Sequence, residues 1–464
     1  MSTLTMASNL AIARIRNARG NALLDVFAII AFAVSSWLLL TTLGGVWMFY
    51  NRQDSLSDLL LEHKGLDPFF TDGLGTMYFF LAIVALGLLI IPLLGLGSAA
   101  TRLGANGRAR RLASLRLIGV SAAQVNLMTL VETLLQALVG FAIGLTIYLV
   151  TLPAWSTVKF TDIHLGGTEM LLPWWGFLGA FVLVVVITLA STVIGLRRVS
   201  ISPLGVSRRE TPAALKHWRI IGLVVMIPVA SYLMRNTNLE SQIEQIIGIA
   251  LAWVGLSLAV SLAGPLFIQV ASRPFARTGN PARLLGARRV IDEPRAAWRN
   301  ISAISLMALI ASIVVFALDI SMVGSADPDA QALTEIMQAD IVKGVVIALG
   351  IALALGATST LIQQAADVFD REDESRALVK MGFPPSTLLK ARLWQVMPPL
   401  ALMLTVTIGV GAMIGGASET TSRAENMFLL VAMIIAGVVL TFVSVLATAP
   451  IQSALLKENT RKND

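Results

Sequence analysis

Arg110-Arg-Leu-Ala-Ser-Leu-Arg116-Leu-Ile-Gly119-Val-Ser-Ala-Ala-Gln124 stands between two apolar runs, 76–99 and 126–151. Crossing a bilayer takes about 20 apolar residues, and each run is long enough. The interval between them carries Arg102, Arg108, Arg110, Arg111 and Arg116 and no acidic residue. Short Lys/Arg-rich loops resist translocation, so this one is expected on the cytoplasmic side. Further apolar runs lie at 25–50, 171–196, 220–234, 245–271, 300–323, 341–363, 393–416 and 427–452. With the N-terminus inside, 29 of the 35 Lys and Arg residues fall on the cytoplasmic side, leaving outside only Arg52, Lys64, Lys159, Arg235, Lys343 and Arg423. The expected fold is therefore all-α, a polytopic membrane protein of about ten transmembrane helices with both termini cytoplasmic.

Composition points the same way. With 56% hydrophobic and 14% charged residues and a mean hydropathy of +0.77, the chain is far more apolar than a soluble domain. The net charge of +7 is spread over every cytoplasmic loop, where anionic inner-leaflet lipids lie, so it does not indicate nucleic-acid binding. The absence of cysteine excludes disulfides, thiolate metal sites, cysteine nucleophiles and cysteine lipidation. The first apolar run is too long for a signal peptide and no small-residue cleavage site follows it, so it reads as retained.

The two halves repeat one another. A short basic amphipathic stretch precedes the first run (Leu10 to Arg19) and the seventh (Leu285 to Arg295), and each is expected to lie along the headgroups with its basic face toward the phosphates. The loop quoted above has a counterpart between the eighth and ninth runs, Asp370-Arg-Glu-Asp-Glu-Ser-Arg376-Ala-Leu-Val-Lys380-Met-Gly382-Phe-Pro-Pro-Ser386. Both read as a charged amphipathic helix closed by a glycine in a left-handed C-cap, followed by a small or Pro-containing start to the next helix. A third recurrence is the basic stop Arg197-Arg198 leading to Pro203-Leu204 after the fourth run, with a weaker ending at Ala449-Pro450 after the tenth.

The charged helix, Gly, small residue and membrane helix, together with Arg-Arg-x-x-x-x-Pro-Leu after the fourth run, resemble the FtsX-like permease domain of bacterial ABC transporters. The arrangement looks like the 4+2+4 permeases of the bacitracin-resistance type, within the type VII class. The resemblance implies three parts: a first four-helix unit at 1–205, a linking helix pair at 206–275 and a second four-helix unit at 276–464. It departs in one place. Those relatives carry a large extracytoplasmic domain between helices 7 and 8, and here Gly324 to Asp340 reads as a short loop.

What the resemblance implies is a permease subunit in a bacterial plasma membrane, driven by a separate cytoplasmic ABC ATPase acting as a homodimer, two per permease. The chain itself has no Gly-Lys pair and hence no phosphate-binding loop of the Gly-Lys-Ser/Thr kind. ATP and Mg would therefore bind the partner, with no cofactor on this chain. The coupling residues implied are Arg108, Arg110, Arg111, Arg116 and Gly119 in one loop and Asp370, Glu374, Arg376, Lys380 and Gly382 in the other. The bland alternative for either run is a solvated juxtamembrane face.

No catalytic constellation or metal site is read in the sequence. His63, His164 and His217 are scattered loop residues with no ligand spacing. A charge at mid-membrane costs about 2.5–3.5 kcal/mol, so Glu132 and Asp319 are the candidate intramembrane polar positions. Glu132 reads either as a partner of loop arginines or as facing a polar cavity. Asp319, like Asp25 at the start of the first run, reads as an interfacial carboxylate. Trp155, Trp174 and Trp175, and Trp218, Trp298 and Trp394, read as interfacial belts, and Gly140/Gly144 and Gly411/Gly415 as small faces for close helix packing. Pro228 and Pro398-Pro399 read as kinks.

Small outer loops, mainly Asn51–Thr76 and Leu152–Met170, leave no folded chamber for a soluble polypeptide, so recognition is expected within the membrane. That favours export or extraction of a lipid-like or amphipathic substrate: a lipid, glycolipid, peptide or drug. Two other classes remain, an ion-driven secondary transporter, which would work without an ATPase, and a non-transporting signalling subunit.

Overall fold

The computed structural model describes residues 22–102, 122–199, 218–235, 242–317, 328–415 and 423–458. The chain forms α1 (Ala22–Arg52), α2 (Leu56–Lys64), α3 (Pro68–Thr71), α4 (Leu74–Arg102), α5 (Ala122–Thr151) and a 3-10 turn at Leu152–Thr157. A two-stranded hairpin follows, β1 (Lys159–Phe160) and β2 (Ile163–His164), then α6 (Trp174–Val199), α7 (Trp218–Arg235) and α8 (Gln242–Ser272). The remainder comprises α9 (Pro281–Asp292), α10 (Pro294–Ala317), α11 (Pro328–Asp370), α12 (Glu372–Lys380), α13 (Pro385–Gly415), α14 (Arg423–Leu446) and α15 (Ala449–Glu458). Among the described residues, eight helices are long and apolar enough to span a membrane, and α4 and α7 add shorter apolar stretches, Leu74–Leu89 and Ile220–Leu233. In lipid a backbone must satisfy its polar groups internally, which is why apolar runs of this length become uninterrupted helices. This is a multi-pass membrane protein.

Each half packs its first helix against its third. In the first half α1 lies along α5 and α4, with α6 closing against α4 and α5; in the second α10 lies along α13 and α11, with α14 closing against α11. Glycines permit the close approach in both. A Cβ on Gly144 would lie 2.6 Å from the Ala33 carbonyl oxygen, one on Gly140 would collide with Phe32, and one on Gly411 would collide with Ser312. The Ser312 hydroxyl donates across the second seam to the Thr407 carbonyl at 3.2 Å. These are the small-residue faces read from the sequence. The halves meet where α11 packs on α4 and α1, and α8 of the linking stretch also packs on α4.

Several expectations are corrected. The interval read as a loop before residue 341 is helical from Pro328, making α11 43 residues long, about 64 Å at 1.5 Å per residue. Its first turns bury Leu333 and Met337 against Leu56, Leu60, Leu66, Leu74 and Tyr78. The outer segments thus build a small folded cap. Trp298 is buried, packed on Gly264, and Trp155 lines an internal cavity, so neither is a belt residue; Trp174 and Trp175 are outward, 78% and 53% exposed. After α14 the chain turns at Thr448 and continues as α15.

Candidate functional site

Among the described residues, polar side chains gather chiefly around α9 and α12 at one end, here called the basic end, and at a cavity toward the opposite, basic-poor end. At the basic end α11 breaks for one residue, Arg371, and α12 begins. Its first turn holds Glu372, Asp373 and Glu374 and its last turn Lys380, the order that complements a helix dipole. Gly382, at φ +93°, closes it. The Gly382 amide donates to Val379 O at 2.9 Å and the Phe383 amide to Leu378 O at 3.0 Å, a left-handed C-cap that satisfies the last carbonyls. α13 then opens on Pro385, the residue suited to a first helical position.

The charges of this run are largely spent on the protein itself. Arg289 of α9, only 7% exposed, pairs with Glu374 at 3.1 Å. Arg371 bridges Glu293 at 3.3 Å, Glu374 at 3.4 Å and Asp367 at 3.9 Å, while Gln395 of α13 donates to Asp367 at 3.2 Å. Arg376 pairs with Glu372 one turn away. Helix α9 therefore does not turn its whole basic face to lipid as expected: Arg289 points into the network, Arg283 stacks over Phe275 and Trp394 at 4.8 and 5.2 Å, and a Cβ on Gly286 would lie 2.5 Å from Ala391 O. What α12 and its C-cap turn outward is Asp373, Ala377, Lys380 and Met381, the last 68% exposed.

Of the coupling residues read from the sequence, Asp370 is exposed, Glu374 faces inward, Arg376 is paired and Lys380 is outward. Arg108, Arg110, Arg111, Arg116 and Gly119 lie outside the described residues, as do Asp319 and the stretch Leu10 to Arg19. Burial pushes the Glu374 carboxyl up, but Arg289 and then Arg371 outweigh it and hold it below its ordinary 4.5. A depressed carboxylate stabilises the folded state above its unfolded value and loses that contribution as pH falls through the folded one. The difference in thermal midpoint between wild type and Glu374→Gln is accordingly expected to be constant from neutral pH to about pH 5 and to shrink below pH 4.5. A difference that grows in acid would contradict the pairing.

Toward the basic-poor end, α1, α4, α8, α10 and α11 enclose a cavity of about 250 Å³, roofed by Trp155, Phe160, Leu165 and Met170. Its polar end is Asp340, 1% exposed. That carboxylate accepts from the Thr161 amide at 2.6 Å, the Tyr78 hydroxyl at 3.1 Å and Lys343 Nζ at 2.9 Å. Thr161 and Asp162 sit at φ +56° and +61°, uncommon for residues with a side chain and worst for a β-branched one. The Thr161–Asp340 bond holds this hairpin tip in place. The roof is further tied down by Arg52, which reaches Glu169 at 2.6 Å and His164 O at 3.1 Å, and by Tyr148, whose hydroxyl donates to Met170 O.

Glu132 does not line this cavity. It is half-buried on α5, one turn from Gln136, which donates to Asp25 of α1 at 2.9 Å, so the structure brings Asp25 into a polar zone near Glu132. The residues the sequence reading missed are Asp340, Tyr78 and Lys343. An Asp with a Lys three places on, just ahead of an apolar run, was the available signal. No cluster of three or more His, Asp or Glu among the described residues could hold a metal ion.

These features define a polytopic helical membrane subunit with a charged helix at one face and an apolar chamber within. Residues 96–204 match the FtsX-like permease C-terminal family. Domains of this family are generally non-catalytic membrane subunits of ABC transporters and typically work with a cytoplasmic ABC ATPase. No curated protein matches the chain.

Proposed function

We propose that this chain is the permease subunit of an ABC transporter, with units at 1–205 and 276–464 joined by the pair at 206–275. Both termini and α12 face the cytoplasm, two ATPase subunits supply ATP and Mg, and the cargo is a lipid-like or amphipathic molecule exported from or across the outer leaflet. The observation that carries this reading is α11. One uninterrupted helix runs from the hairpin-bearing cap, along the cavity wall, to the break at Arg371 that launches α12. A displacement of α12 by a closing ATPase dimer is thereby delivered to the chamber by a rigid rod. The matching first-to-third helix packing of the halves supports two equivalent units, and α12 and the loop around Arg110 are their equivalent docking elements. The folded cap also gives a non-transporting, signalling subunit a surface to act through.

The test is ATPase turnover in nanodiscs holding the chain with its cognate ATPase. Stimulation by amphiphiles but not by water-soluble sugars, amino acids or ions is expected. The reverse pattern refutes the cargo class.

A further inference from the structure

The cavity has nothing to offer a polar solute along most of its wall. Its two threonines are satisfied within α1, Thr41 donating to Trp37 O at 2.9 Å and Thr42 to Leu38 O at 2.7 Å. Besides the indole N–H groups of Trp155 and Trp253, its polar side chains are Tyr78 and Asp340, which sit together at one end, and Asp340 already has three donors. A chamber with so few polar groups on its wall takes hydrocarbon and rejects groups that need hydrogen bonds.

The rim at that end is different. Of the six basic residues on the basic-poor side, Arg52, Lys64, Lys159 and Lys343 gather about the hairpin. Arg52 is committed to Glu169 and the His164 carbonyl. The other three share Asp162: its carboxyl lies below its ordinary 3.8 chiefly through the hydrogen bond and charge of Lys64, then through the fields of Lys343 and Lys159. The Lys64–Asp162 pair, 2.7 Å, is 40% and 51% exposed, and exposed pairs of this kind contribute little and exchange readily. Lys159 makes no ion pair among the described residues. Lys343 keeps 36% of its side chain exposed while its ammonium lies 2.9 Å from a carboxylate that lines the cavity.

We propose that the cavity holds a hydrocarbon chain of an anionic amphiphile whose phosphate or carboxylate displaces Asp162 from Lys64 and is held at the rim by Lys64, Lys159 and Lys343. That the bound molecule is cargo rests on the permease reading; that it binds does not.

The experiment uses the full chain without ATPase. Purified protein is equilibrated in micelles with phosphatidylglycerol and phosphatidylcholine of identical chains, and retained lipid is counted by native mass spectrometry. One phosphatidylglycerol is expected in preference to phosphatidylcholine. Lys64→Gln and Lys159→Gln, both at exposed positions, should each cut that preference roughly fivefold. Gly344 lines the cavity and an added Cβ there meets no atom within 4 Å, so Gly344→Leu should fill the chamber and lose both lipids; Gly45→Val, from the facing wall, serves if the first variant misfolds. Equal retention of the two lipids by wild type would overturn the headgroup assignment. Retention undiminished by Gly344→Leu or Gly45→Val would overturn the cavity assignment. Displacement by inorganic phosphate would place a free anion, not an amphiphile, at the rim. Lipid binding as expected with no ATPase partner found would leave this site standing and the permease reading fallen.

Discussion

Met381→Asp combined with Lys380→Glu is expected to weaken binding of the cytoplasmic ATPase by at least about 30-fold, the loss of roughly 2 kcal/mol that removal of a central interface anchor brings. Met381 is the large apolar side chain that the α12 turn holds outward, with Lys380 beside it. Arg376→Glu should cost far less at the interface, because Arg376 is engaged with Glu372 on its own helix. Binding measured by biolayer interferometry, with the thermal midpoint as a check on folding, separates the cases. An unchanged affinity for the double variant would remove α12 from the interface, and a larger effect from Arg376→Glu would show that the ion pair opens on docking.

Asp340→Ala is expected to destabilise the chain by about 2–4 kcal/mol, because two buried donors lose their acceptor at roughly 1–3 kcal/mol each. The substitution leaves the Thr161 amide, the Tyr78 hydroxyl and the Lys343 ammonium without their shared acceptor. It also frees a hairpin tip held at positive φ. Asp340→Asn retains an acceptor for Thr161 and should fall between wild type and alanine. Equilibrium unfolding in detergent, with limited proteolysis of the 152–172 segment, reads both effects. A loss under about 1 kcal/mol, the net worth of a single ordinary hydrogen bond, would show that Asp340 is not the hub of the roof.

Much of the fold was legible because lipid leaves few choices. An apolar run of about 20 residues must satisfy its own backbone, so the runs at 25–50, 126–151 and 393–416 emerge as helices with little dependence on distant partners. Local capping was legible for the same reason: Gly382 and Pro385 act through their own backbone geometry. The start of α11 was not. Ala330, Leu333 and Met337 recur at helical spacing, but the stretch is too polar for a span, and the leucines it packs on, Leu56 and Leu60, lie about 270 residues away. Asp340 was missed likewise, since its role depends on Tyr78 and Thr161, 262 and 179 positions distant. One feature of the charge runs was not legible: Arg289 and Arg371 both pair with Glu374, because α9 is pressed against α13 by Gly286 and carries Arg289 to α12.

The central claim is that an ATPase on the α12 face drives this chain. Native mass spectrometry of the complex captured from its own membrane, followed by ATP hydrolysis on the same sample, tests it most directly. The account predicts one copy of this chain with two copies of an ATP-binding subunit, dissociated by Met381→Asp with Lys380→Glu. Purification of the chain alone, active as a transporter in liposomes under an ion gradient and without ATP, would contradict it.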